Sequence, residues 1–401
     1  MAVLMPGGCV PADPADPAGH GAAILPGVLA GNPVVTAGHP AAGVALGLRD
    51  QALAALDAGD PAAALALARR ALRALARAGL GGGPDEAAVL VAVAEIEEVL
   101  DRFGDATVTI GTAIGLLGGD AGPGDQDRDL LLVWCQAQER RAGLDRLAGD
   151  FAAAAARLSR VLDVASAAFG KASGAVVSAA NALGVVHKYA GDFAAAQAAY
   201  ARAVAAADGM GLAAGPLIRA GLLHNLGGLA HSRGDPQAGI PLAEEGLALR
   251  TDALGAAHPD VARDLNALGA LYHLAGRYDD AGRAYRRALA VFEDCYGPDH
   301  FETAQACANL AVWHADRGQF AAAEAVGRRA LAILEVLLGP GDAEVGLTAL
   351  NLAMAVAGQG RTAEAAALAG RAATILAARL PAGHPHLDAA RQALDHLRTT
   401  L

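Results

Sequence analysis

The sequence has few aromatic residues and almost no lysine. Aromatic side chains account for 4% of the 401 residues, although hydrophobic residues account for 54%. A continuous core therefore has to be built from Ala and Leu, as in stacked helices. Lysine occurs only as Lys171 and Lys188, and the net charge is −11. This acidic balance argues against binding to nucleic acid or to anionic membranes, since phosphate binding needs a basic surface.

The chain also lacks the cysteine spacing of a metal site and the apolar runs of a membrane protein. No Cys-x-x-Cys pair occurs among the four cysteines, Cys9, Cys135, Cys295 and Cys307. They are most simply explained as reduced thiols of a cytoplasmic protein. No stretch reaches the length of a membrane helix. No Lys or Arg precedes Arg49, so the positive start of a signal peptide is missing.

Familiar catalytic motifs are absent as well. The sequence contains no GxxxxGKS/T phosphate loop, no HExxH, no GxSxG and no GxGxxG in a strand-turn-helix context. Glu95, Glu97 and Glu98 form an acidic cluster, but carboxylates at this spacing usually belong to a solvated helix face. We therefore expect no catalytic site, no cofactor and no metal.

One unit of sequence recurs along the chain. In residues 266–299, apolar side chains follow a helical spacing on both sides of Gly276, which predicts two helices joined by a tight turn. A glycine marks the same turn in six consecutive units, at intervals of 42 or 43 residues: Gly149, Gly191, Gly234, Gly276, Gly318 and Gly360. The recurrence predicts an array of helical hairpins, because a single hairpin buries too little surface to be stable alone.

Side chains of fixed type accompany these turns. Seven residues before each of the last five marks stands a small residue, preceded by Leu. The small residues are Gly184, Gly227, Gly269, Ala311 and Ala353. Small side chains at a fixed position let neighbouring helices approach closely. His258, His300 and His384 stand at matching positions between units, where we expect them to cap or pack against the next helix.

Two further motifs recur in the second half of the chain. Asn-Leu-Gly or Asn-Leu-Ala begins at Asn225, Asn309 and Asn351, and Arg-Arg-Ala-Leu occupies 286–289 and 328–331. Together with the repeat length, these motifs resemble the tetratricopeptide repeat of the kinesin light chain type. The resemblance implies an all-α fold, a right-handed α–α superhelix of antiparallel helix pairs with a C-terminal capping helix.

The pattern divides the chain into four segments. These are a disordered segment rich in Pro, Gly and Ala (residues 1–43), degenerate hairpins (44–129), the regular array (130–384) and a terminal helix that covers the last repeat (385–401). In the degenerate part we expect turns at Gly59 and Gly104. Within the array, Pro241 predicts a late helix start or a kink, because its ring removes one helical hydrogen bond.

The resemblance implies that the first helix of each pair lines a concave groove. Five asparagines lie on that face, nine or ten residues before the turn glycine: Asn181, Asn225, Asn266, Asn309 and Asn351. Such amides hold the main chain of an extended peptide in the resembling family, since an amide both donates and accepts hydrogen bonds. The further candidates on this face are Lys188, His224, His231, Arg263, His273 and Gln305. The alternative is that the asparagines only bond neighbouring repeats to one another.

The function expected from these features is a non-catalytic scaffold that binds a peptide or protein segment in its groove. One alternative is a sensor or regulatory arm of a bacterial signalling or transcriptional assembly. Another is an α-helical enzyme in the same cavity, which would need converging acids or a His–acid pair. A third alternative is self-association through Ala-rich surfaces.

Overall fold

A computed structural model describes residues 39–57, 60–100, 102–123, 127–211, 215–380 and 384–400. The predicted disordered segment therefore lies almost entirely outside the described residues. The described part divides into two compact units, which we call the N-terminal unit, ending at Leu229, and the C-terminal unit, starting at Ala230. No helix in the described part is long and apolar enough to span a bilayer.

The regular structure of the described residues is helical. The α-helices are α1 (Pro40–Asp57), α2 (Pro61–Arg77), α3 (Pro84–Val99), α4 (Phe103–Leu116), α5 (Arg128–Leu147), α6 (Phe151–Phe169), α7 (Gly174–Tyr189), α8 (Phe193–Met210), α9 (Gly215–Ser232), α10 (Pro236–Leu254), α11 (Pro259–Leu274), α12 (Tyr278–Tyr296), α13 (Phe301–Asp316), α14 (Phe320–Leu338), α15 (Ala343–Ala357), α16 (Thr362–Arg379) and α17 (Pro385–Thr399). A short 3-10 helix, Gly119–Ala121, precedes α5.

The helices form pairs in two layers. Within each unit, α7 packs on α8 and α13 packs on α14, and the first helices of successive pairs also touch, α5 with α7 and α13 with α15. The first helix α13 buries most of its length, whereas the second helix α14 buries a narrow stripe of Ala and Leu. The first helices are therefore the inner layer. The predicted all-α class of stacked helix pairs is confirmed, and α17 covers the last pair through Leu387, Ala390 and Leu397.

The six turn glycines have the backbone conformation that the repeat requires. Their φ angles lie between 68° and 81°, in the left-handed region where a side chain is strained. At Gly276 the N–H donates to the His273 carbonyl, and the next N–H, of Arg277, donates to the Tyr272 carbonyl at 2.8 Å. This closes the helix by the usual glycine C-terminal motif. The predicted turns at these six positions are confirmed.

Histidine caps the N-terminus of several first helices. The Nδ1 atoms of His258, His300 and His384 each accept the backbone N–H two residues later, at 3.1, 3.2 and 3.3 Å. Asp342 does the same for α15 with a carboxylate oxygen, at 2.9 Å. These bonds satisfy N–H groups that have no partner inside the helix. The expected capping role of the histidines is confirmed.

The small residue before each turn is matched to the side chain opposite. A Cβ added to Gly184 would lie 2.5 Å from the Tyr200 ring, and one added to Gly269 would lie 2.7 Å from the Tyr285 ring. Both tyrosines are fully buried. Where the first helix carries Ala311 instead, the second helix has a glycine at the equivalent position. The two helices of a pair therefore stay equally close, because a smaller residue on one helix faces a larger residue on the other.

Two local predictions are wrong. The turn expected at Gly104 lies earlier, because α4 starts at Phe103 and Gly104 stands in its first turn. A helix tolerates glycine there at a cost of only about 1 kcal/mol. The late start expected at Pro241 is also wrong, because α10 is one helix from Pro236; the alternative of a kink there stays a prediction. The lost hydrogen bond is offset by burial of the adjacent Ile240 against the C-terminal unit's core.

Candidate functional site

The polar residues of the first helices fall into two rows when they are numbered back from the turn glycine. The asparagine row comprises positions nine and ten before it: Glu139, Arg140, Asn181, His224, Asn225, Asn266, Asn309 and Asn351. The basic row comprises the position three before it: Arg146, Lys188, His231 and His273. The position ten before the glycine lies seven residues, or about two helical turns, from the basic row, so these two positions share one face of each helix.

The asparagines are bonded in pairs across neighbouring repeats. In the N-terminal unit, Asn225 Nδ2 donates to Asn181 Oδ1 at 2.8 Å. In the C-terminal unit, Asn309 Nδ2 donates to Asn266 Oδ1 at 3.1 Å. Asn351 stands at the equivalent position of α15, and the five asparagines are only 2–8% exposed. The amides therefore lie at the inner surface and offer a ligand only their edges.

A single Asn–Asn bond does not use the full hydrogen-bonding capacity of an amide group. One Asn–Asn bond uses one of the two N–H donors of the first amide and one oxygen lone pair of the second. Holding the stack and binding a ligand are thus compatible roles. The assignment of these side chains to a ligand stays a prediction.

Glu139 occupies the asparagine row in α5, and the sequence analysis missed it. The Ser178 hydroxyl donates to Glu139 Oε2 at 2.5 Å, and the other carboxyl oxygen is buried. Burial raises the pKa of Glu139 to about 8, although the Ser178 hydrogen bond and the charge of Arg140 act in the opposite direction. The carboxyl is therefore protonated at neutral pH and resembles the neutral amides of the row. Counting back from Gly149 would have found it.

Arg140, next to it in the same row, is fully neutralised. Its guanidinium lies 2.8 Å from Glu95 Oε2 and 3.0 Å from Glu98 Oε1. The interpretation of the acidic cluster as a solvated helix face is thus wrong, because α3 turns these two carboxylates towards α5. Glu97 accepts a hydrogen bond from the Thr109 hydroxyl at 2.7 Å. The cluster holds helices together.

The basic row of the N-terminal unit contains two buried cations beside one aromatic ring. Arg146 Cζ lies 4.8 Å and Lys188 Nζ 4.6 Å from the centre of the Tyr189 ring. Each cationic residue is 7% exposed. Within the described ranges, no carboxylate pairs with the Arg146 guanidinium.

The inner face of the C-terminal unit carries a ladder of polar contacts between successive first helices. Arg263 Nε donates to Glu302 at 2.6 Å, and one helix further on Gln305 Nε2 donates to Glu344 at 3.3 Å. Arg263 also binds Asp260. These contacts join residue positions that repeat from unit to unit. Arg263 and Gln305 are therefore engaged in the stack.

The predicted histidines have separate surroundings. His273 Nε2 lies 2.9 Å from Asp316 and meets the Tyr278 ring edge-on. His224 and His231 are half-buried on α9. A His–acid pair is one feature that the enzyme alternative would need, but in the described part no hydroxyl or thiol is bonded to His273 to serve as a nucleophile. The described residues also contain no group of three or more His, Cys, Asp or Glu that could hold a metal.

Family comparison identifies the repeat. The chain matches the tetratricopeptide repeat model in three overlapping stretches, residues 219–294, 266–335 and 306–378. The resemblance inferred from sequence is confirmed for this part of the chain. A comparison with curated proteins finds no match.

Three solved structures are reported as similar to this chain. A Rap protein complexed with competence and sporulation factor is 15% identical over 90% of this chain and 99% of that one, with a TM-score of 0.50. The apo form of RapI is 10% identical over 78% and 86%, with a TM-score of 0.52. Nearly identical repeats of a putative kinesin light chain from Podosopora anserina are 21% identical over 44% and 84%, with a TM-score of 0.39.

Proposed function

We propose that this tetratricopeptide repeat protein is a non-catalytic scaffold that binds an extended peptide or protein segment on the inner face of its first helices. The single observation that carries the proposal is the row of buried amides, paired across repeats in each unit. An amide presents one donor and one acceptor to a peptide bond. Five of the chain's six asparagines stand in this row.

Main-chain hydrogen bonds alone are too weak for a stable complex. Each contributes a net ~0.5–1.5 kcal/mol, and a micromolar complex needs about 8 kcal/mol. Five such bonds fall short of that value even at the top of their range, before the cost of ordering the ligand is counted. Specific side-chain contacts must therefore accompany them, and the charged residues beside the amides are the candidates.

Two observations support a ligand-binding role over a purely structural one. A Rap protein of the same fold was solved with competence and sporulation factor, so helix pairs of this kind can hold a ligand. The inner layer here also keeps polar side chains at positions where a repeat that served only packing would carry Ala or Leu. We place the protein in the cytoplasm, as its reduced cysteines suggest.

The proposal is tested by capture of partners from native lysate. Two double variants remove one amide pair each, Asn181→Ala/Asn225→Ala and Asn266→Ala/Asn309→Ala. Gln197→Ala on the exposed face of α8 is the matched control, because it removes an amide from the second-helix layer. Thermal unfolding first establishes which variants keep the wild-type midpoint.

The expected result is a partner that the wild type and Gln197→Ala retain and the folded double variants lose. Quantitative mass spectrometry of the bound fraction measures this. Equal recovery by all four proteins would show that the asparagines belong to the stack and would refute the proposed binding surface.

A further inference from the structure

The first helix pair, α1 and α2, leaves uncovered a surface that later pairs bury. Later first helices pack on the second helix of the preceding pair, as α7 does on α6 and α15 does on α14. Among the described residues, no helix precedes α1. We call the surface of α1 and α2 that corresponds to the contact with a preceding pair the open face.

Ala54 marks this face on α1. It stands seven residues before Pro61, the first residue of α2, and is exposed. Its counterpart in every later pair of the described part is at most 5% exposed. Three of these counterparts, Leu229, Leu271 and Trp313, belong to apolar clusters with residues of the preceding second helix. Ala54 is therefore exposed because the described part has no such helix before α1.

Val44 shows the same difference. It stands seventeen residues before α2 and is 58% exposed. At this position α3 and α9 carry the charged residues Glu86 and Arg219, but five other first helices have a residue that is at most 1% exposed: Trp134, Val176, Val261, Thr303 and Val345. A Cβ added to Gly43 or Gly47, on either side of Val44, would have nothing within 4 Å. The open face thus offers an apolar strip with free space in front of it.

An arginine of α2 extends this correspondence to the second helix. Arg70 stands nine residues after the first residue of α2. In three later second helices, the arginine at this position binds a side chain of the preceding second helix: Arg202 binds Ser166 at 2.9 Å, Arg329 binds Glu293 at 2.5 Å and Arg371 binds Glu335 at 2.5 Å. Arg70, Arg73 and Arg77 lie on one face of α2, are exposed, and have no ion pair within the described part. The open face therefore favours an occupant with both apolar and acidic side chains.

Residues 1–38 have this composition and are attached beside the open face. They join the described chain at His39, directly before α1. Besides His20, their only acidic or basic side chains are Asp13 and Asp16, which are opposite in charge to the arginines of α2. Their second half contains six large aliphatic residues: Ile24, Leu25, Val28, Leu29, Val34 and Val35. The segment therefore matches the open face both in apolar character and in charge.

The segment is long enough to cover α1. The 18 residues of α1 extend for about 27 Å, and an extended chain spans that distance in about eight residues. Residues 24–35 exceed this length. Because the segment is tethered next to the face, its effective concentration there is on the order of millimolar.

A second copy of the chain fits the open face less well. A two-fold contact places the same surface of both copies together. The three arginines of one α2 would then face those of the other, and like charges at an interface are unfavourable. The segment brings only acidic side chains to the same arginines.

We propose that residues 13–35 fold back on the open face, with their aliphatic side chains on α1 and their two aspartates at the arginines of α2. The segment then takes the place of a preceding second helix, much as α17 covers the last pair of the C-terminal unit. This inference concerns the first pair alone and does not depend on the ligand proposed for the inner face.

The test measures access to α1 in the full-length protein. Val44→Cys places a thiol on the open face, and Val108→Cys is the matched control, because Val108 is an exposed valine on α4. Both positions are on the surface, so neither substitution disturbs the core. The rate of alkylation at each thiol is read by mass spectrometry under reducing conditions, with the exposed Cys295 as an internal reference.

The thiol at position 44 is expected to react about tenfold more slowly than the thiol at position 108, because it reacts only while the segment is detached. Replacing Ile24, Leu25, Val28 and Leu29 by Ser in the same chain is expected to bring the two rates within about twofold of each other. These substitutions should leave the rate at position 108 unchanged.

The charge match is tested by a double-mutant cycle. Asp13→Asn/Asp16→Asn is expected to raise the rate at position 44 by about two- to threefold. The same pair of substitutions is expected to add nothing once Arg70, Arg73 and Arg77 have been replaced by Gln, because the partners of the aspartates are then already gone. Full additivity of the two sets would refute the pairing of these charges.

Three outcomes overturn the inference. Equal rates at positions 44 and 108 in the otherwise unchanged chain would show that nothing covers the open face. Protection at position 44 that survives the four Ser substitutions and grows with protein concentration, together with a doubled mass in light scattering, would assign the face to a second copy. Protection that survives them at every concentration would show that the helices themselves shield this position.

Discussion

The inner faces of the two units balance their charges differently. In the C-terminal unit, Arg263 faces Asp260 and Glu302, and His273 faces Asp316. In the N-terminal unit, Arg140 is neutralised by Glu95 and Glu98. Arg146 has no carboxylate partner among the described residues, and Glu139 is buried beside a hydroxyl.

The two units thus differ in whether the buried charges of the inner helices are paired with carboxylates. Paired charges and amides between successive helices stabilise a stack without any ligand. A buried charge without a partner destabilises it, because the desolvation cost is not repaid. The charges named for the C-terminal unit are paired with carboxylates of that unit, whereas Arg146 of the N-terminal unit has an aromatic neighbour and no carboxylate partner among the described residues.

The largest expected effect concerns Glu139. Its folded-state pKa of about 8 exceeds the ordinary value of 4.5, so between these pH values the unfolded chain releases a proton that the folded chain keeps. The free energy of unfolding of the wild type therefore falls as the pH rises through this window. Glu139→Gln removes the loss and is expected to be more stable than the wild type at pH 9 by on the order of 3 kcal/mol. Urea unfolding from pH 4.5 to 9 measures the difference.

An acid of the C-terminal unit supplies the opposite case. Hydrogen bonds from Gln359 and Arg328, with the charge of Arg361, lower the pKa of Glu324 to about 2. Its contribution to stability is present above pH 4.5 and is lost as the pH falls towards 2. Glu324→Gln is thus expected to be less stable than the wild type at neutral pH. Parallel pH profiles for the two variants would contradict the proposed contrast.

Two arginines six residues apart on α5 give the next largest effect. Arg140→Met leaves Glu95 and Glu98 without their cation and is expected to lower the free energy of unfolding by about 3 kcal/mol. Arg146→Met removes an uncompensated charge and is expected to keep it within about 1 kcal/mol of the wild type, or to raise it. Chemical denaturation of both variants measures this. Equal destabilisation would mean that Arg146 is compensated in solution.

Packing should be the same in both units, and glycine substitutions test this. Gly184→Ala and Gly269→Ala each drive a methyl group into a buried tyrosine ring, with an expected loss of about 1–3 kcal/mol. Gly143→Ala is the matched control, because nothing lies within 4 Å of its added Cβ; it is expected to stabilise α5 by up to ~1 kcal/mol. Thermal unfolding distinguishes the cases. A large difference between the two tyrosine-facing variants would mean that packing also separates the units.

The smallest effect concerns the histidine caps of the C-terminal unit. His300 accepts the Glu302 N–H only while Nδ1 keeps its lone pair. Protonation removes the acceptor and sets a positive charge at a helix N-terminus, where it is unfavourable. His300→Asp, which copies Asp342, is expected to add ~0.5–1 kcal/mol under acidic conditions and little at alkaline pH. Equal effects at both pH values would show that the ring does not act through Nδ1.

The fold was predictable where a single residue type has one physical use. The turn glycines mark positions of positive φ, and their spacing reveals the repeat. Small residues such as Gly184 mark close helix approach. The turn expected at Gly104 was wrong because the sequence does not distinguish a glycine in the first turn of a helix from a glycine that ends one. The late helix start expected at Pro241 was wrong because the free-energy cost of one missing hydrogen bond can be offset by burial of the flanking residues.

The candidate site was predictable in position and only partly in composition. Counting from the turn glycines placed the asparagines on the inner layer, where the structure has them. Glu139 and Arg140 stand at the same positions before Gly149, but they were not recognised because they are not asparagines. Which charges pair, as Arg140 does with Glu95 and Glu98, depends on side-chain directions across helices far apart in sequence. Periodicity carries no such information.

Chemical labelling of the two lysines tests most directly whether a ligand occupies the inner face of the N-terminal unit. Lys188 lies at the basic row and Lys171 is exposed outside it, so reductive methylation read by mass spectrometry compares a site residue with an internal reference. With a partner captured from native lysate bound, the rate at Lys188 is expected to fall while that at Lys171 stays constant. An unchanged ratio of the two rates with the partner bound would contradict the account.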